Sequence, residues 1–125
     1  MLLVDARAGM SKIQGIGLFA HEFIPKGTCV WVFDPDFDVV FTEEKLQSFP
    51  PPAQRQARRY AYDDPTKQLY ILASDDSRFT NHADDANLVD DCEANFAARD
   101  IQVGEEITWD YRPWAALDFL EGEDY

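Results

Sequence analysis

The chain has 125 residues, the size of one ordinary domain, and with 46% apolar and 14% aromatic residues it can build a packed core. Its 11 Lys and Arg face 24 Asp and Glu, so the formal net charge is −13. A surface that acidic repels phosphate backbones and anionic lipid, which excludes direct nucleic-acid and membrane-surface binding and favours a cationic partner.

In chain order, the apolar start Met1–Val4 is cut by Asp5, too short for a signal peptide, and no stretch approaches the roughly 20 apolar residues that cross a bilayer. Two cysteines, Cys29 and Cys92, make no disulfide framework and suit a reduced compartment, so an intracellular, cytoplasmic protein is expected. An apolar segment at 16–24 ends in the turn Pro25-Lys26-Gly27, and 28–33 (TCVWVF) reads as a buried strand. Asp34-Pro35-Asp36 breaks it, and 37–41 predicts a short return strand. Residues 42–59 predict helix, capped by Thr42 with Glu43 and Glu44 in the first turn. Prolines 50–52 divide that helix and leave a second one over 53–59. β character returns at 60–62, followed by a turn at 63–65 and a strand at 69–72. The polar segment 75–95 predicts mostly loop, 100–109 a strand-turn-strand, and 113–121 a closing helix from Pro113 to the stop at Gly122. The whole reads as one mainly β domain with short helices over 1–125, ending in an acidic tail.

Gly15-Ile16-Gly17-Leu18-Phe19-Ala20 matches a dinucleotide-binding pattern by letter, but Pro25 and Gly27 leave no room for the helix that must receive the pyrophosphate. The glycines then mark either a plain turn or a backbone that must come close to a ligand. Asp pairs at 63–64, 75–76, 84–85 and 90–91 do not space into a calcium loop and read mostly as solvated carboxylates. The two His and two Cys show no zinc spacing, so no metal is expected. Neither a nucleophile elbow nor a phosphate-cradling loop is present. What remains is 78–87 (RFTNHADDAN) and 104–111 (GEEITWDY). Taken alone, Asn81-His82 offers hydrogen bonds in a polar loop, and Tyr111 is an ordinary half-buried tyrosine.

Together with the glycine segment 11–20 and Ile24-Pro25-Lys26-Gly27-Thr28, these motifs resemble, in order and spacing, those of the SET-domain protein methyltransferases, over about residues 11–111. The resemblance implies a β-clip-like fold of several small sheets whose last two motifs cross in a pseudoknot that builds the active site. It implies S-adenosylmethionine as methyl donor and a lysine of a basic protein or peptide as acceptor. Carried over by position, the backbone of Gly15, Ile16 and Gly17 would meet the methionine part of the cofactor. Asn81 would bond its amino group, His82 would meet the adenine through backbone, and Asn87 would hold the crossing together. Tyr111 would be the catalytic hydroxyl beside the transferring methyl, with Trp109, Tyr62 and Tyr60 lining the lysine channel.

The transfer itself needs little beyond alignment, because a methyl sulfonium is already activated. Supplying a neutral lysine amine at pH 7 costs about 4–5 kcal/mol from its reference pKa, and an apolar channel offsets part of that. Two departures from the family pattern stand out. Ala86 replaces a usual proline, and Trp109 replaces a usual Phe or Tyr, a bulk expected to narrow the channel toward monomethylation. No cysteine cluster follows Tyr111, so the helix 113–121 has three open uses: covering the channel, packing on the domain edge, or contacting a second copy in a homodimer. Two non-catalytic alternatives stand beside the enzyme: a SET-like module that binds cofactor or a basic peptide without turnover, and an acidic interaction domain.

Overall fold

The computed structural model describes residues 1–64, 68–91 and 94–111. Its strands are β1 (Ala6–Met10), β2 (Ile16–Ala20), β3 (Cys29–Val32), β4 (Val39–Phe41), β5 (Tyr62–Asp64), β6 (Leu69–Leu72), β7 (Asn81–His82), β8 (Leu88–Asp91), β9 (Ala94–Ala97) and β10 (Glu106–Trp109). The helices α1 (Glu43–Gln47) and α2 (Pro51–Tyr60) lie between β4 and β5, and a 3-10 turn (Asp76–Phe79) precedes β7. Three small sheets result, ordered β1-β2-β10-β7, β3-β9-β8 and β4-β6-β5. This is the mainly β, several-sheet class expected.

Local chemistry explains most of the elements. Leu18 and Ala20 of β2 are nearly inaccessible and join Ile24, Val30, Leu88, Ile101 and Ile107 in the main core. A smaller core under the helices gathers Phe41, Leu46 and Ala57, with Phe49 edge-on and Tyr70 stacked against Phe41. Thr42 caps α1 as expected, its hydroxyl accepting from Lys45 N at 3.1 Å. The second helix starts at Pro51 rather than 53, because the first turn has no use for the N–H that proline lacks. It also runs on through Tyr60, so β character begins at Tyr62 and takes in Asp63 and Asp64, which the sequence reading placed in a turn.

Other differences are equally instructive. The 37–41 strand forms at Val39–Phe41 but pairs with β6, not with the strand before it. Ile101 makes a single bridge to Ile24 instead of a strand, and Gly104, at φ +86°, makes the turn into β10. Strand β1 carries no sequence signal, since Ala6-Arg7-Ala8-Gly9-Met10 has neither β-branched residues nor clean alternation. The segment 75–95 is not mostly loop: it holds the 3-10 turn, β7, β8 and the start of β9. Polar residues are common there because their side chains serve neighbouring backbone. The predicted helix 113–121 lies outside the described residues. Among the described residues no helix is long and apolar enough to cross a membrane.

Asp75 shows this use of a carboxylate. Its Oδ1 accepts from Ser77 N at 3.1 Å and from the Ser77 hydroxyl, capping the 3-10 turn, while Oδ2 accepts from Leu2 N at 2.8 Å. Burial pushes its pKa up, but the Ser77 and Leu2 hydrogen bonds outweigh that and hold it below the usual 3.8. A depressed folded-state pKa contributes stability that is present above the unfolded value and lost as pH falls through the folded one. Asp75→Asn is therefore expected to cost about 1 kcal/mol at pH 7 and to flatten the loss of stability below pH 4, as read from urea midpoints across pH.

Candidate active site

Strand β10 lies between β2 and β7, antiparallel to the first and parallel to the second, with Thr108 opposite Asn81 and Trp109 opposite His82. That pairing carries two motifs distant in sequence into one place. Asn87, 1% exposed, binds them: its Nδ2 donates to Glu106 O at 2.8 Å, its Oδ1 accepts from Thr108 N at 2.8 Å, and its own N–H donates to Thr108 Oγ1 at 3.2 Å.

A cleft partly open to solvent lies beside this junction, lined by Ile16, Tyr60, Arg78, Phe79, Asn81 and Tyr111 among others. Asn81 is buried at 6% exposure, and its amide nitrogen lies against Gln14 O (3.1 Å), Ile16 O (3.3 Å), Ser11 Oγ (3.1 Å) and Glu106 Oε2 (3.0 Å). Gln14 O, Ile16 O and Glu106 Oε2 can only accept, so this atom is the NH₂; an amide oxygen there would meet only like partial charges. The Tyr111 hydroxyl donates to Thr80 O, and Tyr111 N–H donates to His82 Nδ1 at 3.1 Å. With Nδ1 accepting, the ring proton belongs on Nε2, 3.0 Å from Asp84 Oδ1.

From Tyr111 a row of aromatic rings leads away: Trp109 at 5.3 Å, then Tyr62 at 5.7 Å from Trp109, then Trp31 at 5.9 Å from Tyr62. All three contacts are edge-to-face, the arrangement ring quadrupoles prefer. Both oxygens of Asp90 accept from the Trp109 indole N–H at 2.8 Å, which fixes that ring. Burial, and then Asp38, Asp64 and Asp90, push the Tyr62 phenol well above its ordinary pKa of 10.0, so it stays neutral.

Of the residues singled out in the sequence, Ile16, Asn81, Tyr60 and Tyr111 meet in the cleft. Trp109 and Tyr62 stand in the aromatic row behind Tyr111, and Tyr60 packs edge-on against Phe79 at 5.4 Å instead of joining that row. The His82 ring ties down the Tyr111 backbone. The two glycines separate. Gly15, at φ +47°, makes the turn with open space around it, whereas Gly17 sits in close approach: a Cβ there would lie 2.4 Å from Glu106 Oε2, so that carboxylate would have to shift.

Sequence reasoning missed Glu106, Ser11, Asp90 and Thr80. Several members of the Asp pairs, read as solvated, are buried or serve as structural acceptors: Asp64 is 2% exposed, Asp76 accepts from Ala8 N at 2.9 Å, and Asp90 grips the indole. Only tertiary pairing reveals this, because an Asp beside an Asp carries no signal of what will face it. Among the described residues, no group of three or more His, Cys, Asp or Glu is placed to hold a metal.

The family model described as SET domain matches residues 15–112. The chain belongs to the SET-domain family. Among solved structures, a Plasmodium falciparum putative histone methyltransferase is similar at 22% identity and a TM-score of 0.61, covering 88% of this chain and 95% of that one. A humanized mutant of the Chaetomium thermophilum Polycomb Repressive Complex 2, bound to an inhibitor, is similar at 24% identity and a TM-score of 0.66, covering 91% of this chain and 16% of that one. A chain of the apo ctPRC2 complex with two Ezh2 mutations reaches a TM-score of 0.70 at 22% identity, covering 94% and 16%. This SET domain thus spans about a sixth of the polycomb chains it resembles, and at such identities the likeness establishes the fold. Curated protein sequences returned no match.

Proposed function

We propose that this SET domain is an S-adenosylmethionine-dependent protein-lysine N-methyltransferase acting on a basic protein or peptide. The observation that carries the reading is one cleft shared by a clamped Asn81 amide and Tyr111, beside a row of aromatic rings. The donor set suits the cofactor. Asn81 Oδ1, to which no described residue donates, is an acceptor for an ammonium. Arg59 and Arg78 border the cleft with guanidinium groups suited to a carboxylate, and Ile16, Tyr60 and Phe79 offer apolar walls. When bound, the cofactor supplies an activated methyl on a sulfonium.

The chain's own residues supply alignment and desolvation. With its proton committed to Thr80 O, the Tyr111 hydroxyl is left as an acceptor, the role that would let it take an N–H of the incoming amine and point the nitrogen lone pair. The rings of Tyr62 and Trp109 desolvate the lysine, which disfavours its ammonium, while the Asp90 carboxylate held by Trp109 acts in the opposite sense. The net charge of −13 concentrates a basic substrate at the surface.

The test is calorimetry with S-adenosylmethionine, followed by transfer of a labelled methyl onto a lysine-rich peptide. Binding with transfer is expected. Binding without transfer selects the non-catalytic SET-like module, and no binding selects the acidic interaction domain.

A further inference from the structure

Glu106 stands behind the cleft, and the reading above assigns it nothing. Its two carboxylate oxygens lie 2.8 and 2.9 Å from Ser11 Oγ, and Oε2 lies 3.0 Å from Asn81 Nδ2. The Ser11 hydroxyl also accepts from Ile13 N at 2.9 Å and Gln14 N at 3.2 Å. Those two N–H groups fill its two lone pairs, and its single proton is left for Glu106. Asn81 must then share its two amide hydrogens among Glu106 and the carbonyls of Gln14 and Ile16. Glu106 is the one charged acceptor of the three, so its bond is the strong one. Gly17 completes the arrangement, because any Cβ there would collide with this carboxylate.

We propose that Glu106 is a positioning residue for the cofactor's amino group: it turns the Asn81 amide so that Oδ1 is offered to the ligand, and it sets a negative charge behind that oxygen. Glu106 thereby makes the site discriminate for a ligand that carries an ammonium. The proposal rests on the cofactor reading, so its test must separate the two.

S-Adenosylhomocysteine, which has the amino-acid portion, and 5′-methylthioadenosine, which lacks it, are titrated by calorimetry into the wild type, Glu106→Gln and Gly17→Ala. Glu106→Gln keeps the shape and removes the charge, and thermal unfolding checks that the variant is folded. Its affinity for S-adenosylhomocysteine is expected to fall about tenfold, as for a charge-assisted bond made neutral, while 5′-methylthioadenosine binds as before. Gly17→Ala, which displaces the same carboxylate, is expected to change selectivity in the same direction. An equal loss for both ligands would mean a merely structural Glu106, and an unchanged ratio in a folded Glu106→Gln would likewise overturn the proposal. A wild type that binds neither ligand instead sinks the cofactor reading itself.

Discussion

Tyr111→Phe is expected to lower methyl transfer by about 100-fold or more while leaving affinity for S-adenosylhomocysteine within about threefold, because in the proposed mechanism the hydroxyl aligns the acceptor amine and does not hold the cofactor. The same change removes one hydrogen bond, to Thr80 O, at a cost of about 1 kcal/mol, so the variant stays folded and the kinetic loss can be read cleanly. Single-turnover transfer from labelled cofactor, with calorimetry alongside, makes the measurement. A variant that turns over like the wild type would remove the phenol from the chemistry. A variant that loses transfer and binding in equal measure would move Tyr111 into the cofactor cradle.

The largest effect on stability is expected at Asn87. Removing its amide by Asn87→Ala strands the Thr108 N–H and the Glu106 carbonyl at the junction of β10 with the 81–88 segment. Each buried group left without a partner costs about 1–3 kcal/mol, so a total loss of about 3–4 kcal/mol is expected, a large share of an ordinary domain's stability. The same change loosens the strand that carries Glu106 and Trp109, so cofactor affinity should fall with it. Urea unfolding monitored by tryptophan fluorescence would show the shift, and a midpoint within experimental error of the wild type would mean that the crossing is held by other contacts.

The contrast between these two residues shows what the sequence carries. The strands β3 and β10 are legible because Val30 and Ile107 sit in apolar or β-branched runs, and the α1 cap is legible because Thr42 precedes two glutamates. The segment 75–95 is not, since its backbone is held by side chains such as Asp75 and Asn87 whose partners lie 73 and 21 residues away. Local pattern has no access to such pairs. For the site, the resemblance to the SET-domain family singled out Asn81 and Tyr111, which the structure places in one cleft. It could not find Glu106, which reads as one more acid in an acidic chain until β10 sets it against Gly17 and Ser11.

Under the proposed function, one cleft holds the methyl donor between Asn81 and the aromatic row. A crystal structure of the protein with S-adenosylhomocysteine tests it most directly. The amino group is expected on Asn81 Oδ1 and the sulfur facing the Tyr111 side of the cleft. Density for the ligand elsewhere on the surface, or an Asn81 amide whose oxygen faces Glu106, would contradict it.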